Sequence, residues 1–338
     1  MFSVLAFNCR GLNDPIKRQL IWHYLRTEFK HIDFFLLSET HCASTNDAEQ
    51  WEKEWGGYAA VSLPDRSQRR AWFTTSSSSH TGGTAILLNK RVNSQHILHV
   101  HSCAAHNGAF VSIWFKSKIG IWKITAVYLP AQPADRGNAI ATLFSNPSLY
   151  PYDYQISGGD WNCVESLSLD TEGVSADYPN HHGNLLRDHT AAQGWADCWT
   201  LAHATDELRG FTRYGAAGSK TRLDRVYISQ SAAALLSATT THPTPSFSDH
   251  YAVSATIVFD KQKKHPAPYW RLNTSVLEDS RCDDIVYTLW DLYCQQPCPP
   301  DRPLITWWLE WKAMVREALK TYSQTRAKEQ RQRLEDIT

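Results

Sequence analysis

Residues 2–7 (FSVLAF) carry apolar side chains along a short extended run, which predicts a strand. Asn13-Asp14-Pro15 then predicts a helix start, with Asp14 as N-cap and Pro15 at the first helical position. Ile16, Leu20, Tyr24 and Leu25 continue at helical spacing to about Phe29. Asp33–Leu37 (DFFLL) is apolar almost throughout, as in a strand covered on both faces. Strand, helix and strand in quick succession predict an α/β domain. Further strands are expected at 83–88, 96–103, 109–116 and 120–128, the last three as an antiparallel meander, and residues 64–82 as a loop. Residues 134–144 and 183–193 read as helices. Tyr154–Ser157 leads a strand into Gly158-Gly159-Asp160, and Leu223–Ser229 and Tyr251–Phe259 are strands. The mixture predicts two packed sheets with helices outside.

Past Phe259 the pattern changes. Residues 260–268 (DKQKKHPAP) are charged and contain proline, which suits a linker. Residues 275–296 and 303–335 then read as helices. Trp308, Trp311, Val315, Ala318 and Tyr322 follow heptad-like spacing, expected as a docking face. The last turns hold Lys320, Arg326, Lys328, Arg331 and Arg333 against Glu329, a basic tail. The expected organisation is a domain over 1–260, a linker over 261–268 and a helical connector over 269–338.

Composition narrows the function classes. Apolar residues are 42% of 338, enough for a sizeable core. Lys+Arg and Asp+Glu are 34 each, so a globally basic nucleic-acid binder is excluded and only local basic patches remain. The eight cysteines form no CxxC pair and read as free thiols of a reducing compartment, with zinc as the alternative. The N-terminus has no basic segment before its apolar stretch, and no apolar run reaches membrane length. A soluble protein of nucleus or cytoplasm, neither secreted nor membrane-bound, is expected.

The chemistry lies in polar residues that recur at the ends of apolar runs. LAFN ends in Asn8, FLLSE in Glu39, and VYLP carries Tyr128. QISGGDWN ends in Asp160 and Asn162, Asp224 opens LDRVYIS, and Ser248-Asp249-His250 opens the last strand. Any one of these has a bland reading as a turn cap or surface charge. Together, strand ends on one sheet edge bring them into one pocket. Glu39 and Asn8 offer the hard oxygen ligands that suit Mg²⁺, with Mn²⁺ as the alternative ion. Such an ion stabilises the charge developing on a phosphate. Asp160 and Asn162, at alternate positions of an extended segment, point the same way and hold the attacking water. Asp224 and His250 form a carboxylate–imidazole pair.

NCRGLN, LSETH, VYLP, GGDWN, RLDRVYIS and SDH, in that order, resemble the endonuclease/exonuclease/phosphatase superfamily of deoxyribonuclease I over residues 1–259. More narrowly they resemble the endonuclease domain of LINE-type non-LTR retrotransposon polyproteins. PYWRLNTSVLED and the tryptophan-rich helices resemble the connector before reverse transcriptase there. The resemblance implies a four-layer α/β sandwich and a double-stranded DNA substrate, nicked to leave a 3′-hydroxyl. It also implies a reverse transcriptase partner domain in a full-length polyprotein. It implies metal binding at Glu39, Asn8 and Asp249, water and phosphate positioning at Asp160 and Asn162, and an active-site tyrosine at Tyr128. Asp224 and His250 match the paired aspartate and histidine, and Thr212 and Ser248 match phosphate-contacting hydroxyls. Arg10 stands where several apurinic-site enzymes have an acid, against a repair reading. Tyr128 stands where the deoxyribonuclease I and sphingomyelinase branches have histidine.

For DNA contact, Arg213, Tyr214 and Lys220 flank a glycine-rich hairpin, RYGAAGSK, that would enter a minor groove. Arg66, Arg69 and Arg70 with Trp72 form a basic-aromatic cluster. A solvated turn and a surface loop are the plain readings of these two segments. The competing functions are a repair endonuclease or other phosphoesterase on the same scaffold, and a non-catalytic retrotransposon remnant.

Overall fold

The computed structural model describes residues 1–57, 69–145, 150–174, 182–203, 209–215, 218–259, 276–295 and 304–335. The chain divides into two compact units, Met1–Lys261 and Gln262–Thr338.

The strands in chain order are β1 (Phe2–Asn8), β2 (Phe34–Ser38), β3 (Ala71–Phe73), β4 (Thr84–Leu88) and β5 (Ile97–Cys103). Next come β6 (Phe110–Ser117), β7 (Gly120–Tyr128), β8 (Tyr154–Asp160), β9 (Thr171–Glu172) and β10 (Trp195–Asp197). The last are β11 (Arg213–Tyr214), β12 (Lys220–Thr221), β13 (Asp224–Ser229), β14 (Leu236–His242) and β15 (Ala252–Ile257). One mixed sheet runs β14-β15-β1-β2-β4-β3 and the other β10-β13-β8-β7-β6-β5, with β11-β12-β9 as a small third sheet.

β1 and β2 are buried on both faces, which is why their sequences read as near-continuous apolar runs. Phe2, Val4 and Ala6 of β1 meet Ile124, Ala126 and Ile156 between the sheets. Leu5 and Phe7 face the other way, under Ile21, Trp22 and Leu25 of helix Pro15–Thr27 and Trp51 and Trp55 of helix Thr45–Gly56. Outside the second sheet, Val127 and Leu129 pack under helices Pro133–Ser145 and Gly183–Ala192 through Ala139, Ile140 and Leu186. The result is the four-layer sandwich: helices, sheet, sheet, helices. Each fully buried large side chain contributes roughly 1.5–3 kcal/mol.

Asp14 caps its helix as expected, accepting from the Ile16 and Lys17 amides at 2.8 and 3.2 Å. Three elements depart from the sequence reading. Helix Thr45–Gly56, capped by Ser44 and closed by Gly57 at φ 68, occupies a stretch rich in charge. β3 pairs with β4 inside the expected loop of residues 64–82, because Trp72 and Phe73 extend the sheet. β14 (LSATTTH) pairs with β15 although its side chains are mostly polar.

The second unit is a helix pair, Ser280–Cys294 and Leu304–Glu335. Val276, Cys282 and Leu319 are its buried centre, with Val315 and Tyr322 against them. Trp290 meets Trp308 and Trp311 at 6.1 and 5.1 Å, so the tryptophan stripe makes ring contacts within its own unit while Trp308 stays exposed. The linker, residues 261–268, lies outside the described residues. Every described cysteine is a free thiol. No described helix is long and apolar enough to cross a membrane.

Candidate active site

Register brings the polar strand ends together. In the parallel pair β1–β2, Asn8 is opposite Ser38, which precedes Glu39. In the parallel pair β7–β8, Tyr128 is opposite Asp160, and across β8–β13 Asp160 is opposite Asp224. The two sheets end at one edge, and that edge carries the site.

Asn8 Nδ2 donates to Asp160 Oδ2 at 2.9 Å, while its Oδ1 accepts the Arg10 amide at 3.0 Å. Asp160, 1% exposed, also accepts from the Asn162 backbone at 2.9 Å and from Asn162 Nδ2 at 3.2 Å. Asn162 reaches it from a left-handed residue at φ 47, not from one face of an extended segment, which corrects the strand-alternation argument. Its Nδ2 also donates to the Leu129 carbonyl at 2.8 Å. Burial, then the charges of Asp224 and Glu39, push the Asp160 carboxyl up to about 7 against the pull of His250.

Gly159 makes this close arrangement possible. Its φ is 151, and a Cβ there would lie 1.9 Å from the Val127 carbonyl oxygen. Gly159→Ala is expected to cost at least about 2 kcal/mol and to displace Asp160, measured by urea unfolding. A loss under 0.5 kcal/mol would mean the backbone adapts freely.

Asp224 Oδ2 accepts from His250 Nδ1 at 2.7 Å. Burial alone would lower the imidazole. The charge and hydrogen bond of Asp224, then Asp160 and Asp249, raise it to about 9. At neutral pH His250 is therefore a buried imidazolium. Tyr128 is buried beside the same acids, and burial, then Glu39 and Asp160, hold its hydroxyl above the ordinary value, so it stays a neutral phenol.

Glu39 follows β2 at φ 52, and His41 Nε2 lies 3.7 Å from its carboxylate. Burial opposes its charge, but His41, Asn8 and His250 together hold it below its ordinary value. Asp249 is held by Arg10 at 3.2 Å and Arg213 at 3.7 Å. Asp249 thus lines the same cleft as Glu39, shared between two arginines and His250 Nε2 at 3.9 Å.

The two hydroxyls do not line the cleft. Thr212 Oγ1 accepts the Leu223 and Asp224 amides at 3.1 and 3.0 Å, fixing the start of β13. Ser248 Oγ donates to the Asn8 carbonyl at 2.7 Å and accepts the His250 amide at 3.1 Å. Both act on the site by placing its side chains, because their hydroxyls already serve backbone groups.

Glu39, Asp160, Asn162, Asp249 and His250 open into a cleft of about 410 Å³. Arg10, Arg136 and Arg213 also line it. Sequence reasoning gave no site role to Arg136 or His41. Arg136 is a buried cation near the start of a helix, its Nε donating to the Pro130 carbonyl at 2.9 Å, and His41 is the last residue of the LSETH segment.

Ligand atoms of Asp160, Asp224 and His250 lie within 4.8 Å of one another. His250 is charged and already bonded to Asp224, so the imidazole is a poor metal ligand there. Glu39 and Asp160 remain as hard donors, and Asp224 Oδ1 is buried without a hydrogen-bond partner. This donor set fits a hard divalent cation.

Asp224 is anchored from beneath. Arg225 is fully buried and donates to Asp170 at 2.5 Å and Asp197 at 2.9 Å, while Arg222 reaches the same acids at 2.8 and 2.6 Å. This network on both sides of Asp224 was also missed by the sequence reading.

The DNA-contact candidates separate. Arg213 and Tyr214 form the exposed β11, and Lys220 of β12 pairs with Glu172. Arg66 lies outside the described residues. Arg69 turns to Glu52 at 3.7 Å, and Arg70 donates to the Asn89 and Val92 carbonyls at 3.1 Å. Arg70 thus serves the fold rather than an open basic face.

A two-sheet sandwich with helices outside it, and with acids, amides and an imidazolium at one edge, is the architecture of the deoxyribonuclease I-like fold. The sequence profile of the Endonuclease/Exonuclease/phosphatase family matches residues 5–250. The chain belongs to that family, whose members are nucleases and phosphatases acting on phosphoesters. No curated protein matches the sequence. Among solved structures, an AP endonuclease from Archaeoglobus fulgidus is similar at 13% identity and TM-score 0.56, covering 76% of this chain and 99% of its own. The catalytic domain of Xenopus laevis APE2 is similar at 14% identity and TM-score 0.56, covering 76% and 91%. The endonuclease domain of TRAS1, a telomere-specific non-LTR retrotransposon, has 14% identity and TM-score 0.48, covering 76% and 98%. At these identities the likeness to the first two establishes the shared fold.

Proposed function

We propose that this chain is a Mg²⁺-dependent endonuclease that hydrolyses a phosphodiester of double-stranded DNA and leaves a 3′-hydroxyl. The observation that carries the reading is the convergence of Glu39, Asp160, Asn162 and His250 on one cleft, with Asp224 bonded to His250 behind it. Glu39 and Asp160 would hold the ion, which supplies charge stabilisation at the scissile phosphate. Asn162 holds the Asp160 carboxylate in place, and the pair would orient the attacking water beside the ion. His250, kept charged by Asp224, faces the developing negative charge. Exposed Arg213 and Tyr214 beside the cleft support a duplex substrate. The ordered motifs and the helical unit after residue 261 support the retrotransposon reading, with reverse transcriptase as a partner domain.

The test is nicking of supercoiled plasmid by the full chain, with Mg²⁺ and with chelator. The expected result is metal-dependent open circles whose ends prime a polymerase. No nicking, or ends that need phosphatase before extension, would refute it. A strong preference for duplexes carrying an abasic site would select the repair reading instead.

A further inference from the structure

A second cavity, of about 360 Å³, lies on the outer face of the second sheet near the end of helix Pro133–Ser145. It is separate from the catalytic edge. Lys123 and Tyr128 are both on β7, and at roughly 3.3 Å per residue they stand about 17 Å apart.

Lys123 is the centre of this cavity. Its ammonium lies 5.5 Å from the ring centroid of Trp114 and 5.5 Å from that of Tyr152. His99 packs edge-on against Trp114 at 5.0 Å and stacks on Tyr150 at 5.4 Å. Trp114 is locked by donating to the Tyr150 carbonyl at 3.1 Å. Phe144 and Trp195, 5.0 Å apart, form another aromatic wall. Gln155 and Gln193 add amide groups, and Gln155 is buried and bonded to Ser157 at 3.1 Å.

Negative charge is what this cavity lacks. No Asp or Glu is among the described residues lining it, and Lys123 has no ion pair among the described residues. Burial lowers Lys123 to about 8, the mark of a cation without a counter-charge. A lysine stem that merely covers apolar surface sends its ammonium out to water. Here the ammonium sits between two rings, which stabilise it only weakly.

We propose that this cavity binds a planar aromatic anion of nucleoside-monophosphate type, its ring against the aromatic walls and its phosphate on Lys123. The size fits one such ligand, the amides suit heteroatom edges, and the ammonium needs an anion. The ligand comes either as a free mononucleotide or as the 5′-phosphorylated end of a strand. The inference does not depend on the nuclease reading.

The test is calorimetric titration of the full chain with 2′-deoxyadenosine 5′-monophosphate. A Kd on the order of 10–100 µM is expected for a ligand of this size. Lys123→Met should weaken binding at least tenfold, and Tyr152→Ala, at the cavity rim, several-fold. Plasmid nicking should be unchanged in both. Deoxyadenosine without phosphate should bind at least tenfold more weakly. A 5′-phosphorylated tetranucleotide that matches the mononucleotide assigns the strand end as the source, and one that fails to bind assigns the free nucleotide. The proposal is overturned by absence of saturable binding, by equal affinity in Lys123→Met and Tyr152→Ala, or by equal affinity for deoxyadenosine. Loss of binding in His250→Ala, with retention in Lys123→Met, would place the ligand in the catalytic cleft and equally overturn it.

Discussion

His250→Ala is expected to lower plasmid nicking by about 10³-fold or more, with the far-ultraviolet dichroism of the chain unchanged. The imidazolium is held by Asp224 at 2.7 Å and backed by the charge of Asp160, so its removal does more than delete one positive charge. Two buried acids then face each other without their cation. Glu39→Ala and Asp160→Ala should produce losses of the same order. Combining any two should cost far less than the product of the single effects, because the groups act as one assembly. Near wild-type rates in all three single variants would end the assignment of this cleft. Loss of activity together with loss of folded signal would instead assign these residues to stability.

Asp170→Ala is expected to give the largest loss of stability, about 3–5 kcal/mol and a fall in Tm of roughly 10 °C. Arg222 and Arg225 both donate to Asp170, and Arg225 is fully buried, so the variant leaves buried guanidinium groups short of one counter-charge. The pH dependence follows from the same contacts. Burial opposes the Asp170 charge, but Arg225 and Arg222 more than offset it and hold the carboxyl below its ordinary value of 3.8. A depressed folded value means the stabilisation is present above the unfolded value and lost as pH falls through the folded one. The wild type should therefore lose stability between pH 5 and lower pH more steeply than Asp170→Asn. Urea unfolding at pH 7 and pH 3 measures both effects. A change under 1 kcal/mol at pH 7 would show that Asp197, with Glu165 at 3.8 Å from Arg225, satisfies the arginines.

The polar edge was legible in the sequence because its residues stand at the ends of apolar runs, Asn8 and Glu39 after theirs and Asp224 and His250 before theirs. A strand buried on both faces leaves its first polar position at its end, so LAFN and FLLSE announce Asn8 and Glu39 directly. The helix cap at Asp14 was legible for a similarly local reason, since its bonds span three residues. What stayed hidden depended on distant partners. Arg222 and Arg225 look like solvent charges until Asp170 and Asp197 arrive from other segments. Arg70 looks like a DNA contact until the Asn89 and Val92 carbonyls claim it. Helix Thr45–Gly56 did carry a signal, Ser44 before it, Gly57 after it and Trp51–Trp55 one turn apart, but charged neighbours obscured the stripe. Thr212 shows a different limit. The resemblance implied a phosphate contact there, yet the geometry has its hydroxyl serving two backbone amides.

Of the seven non-glycine residues described at positive φ, Arg10, Glu39, His41 and Asn162 stand around the cleft. Each left-handed residue costs of order 1 kcal/mol, which surrounding bonds must offset. Selection for heat tolerance alone would favour glycine at all four positions, and at Glu39 or Asn162 that gain would delete the side chain the cleft is built around. A lineage in which the cleft no longer serves a purpose should drift toward relaxed backbones there first. The turns at residues 39 and 162 thus record whether a related chain is still under selection to act, more sensitively than its core does.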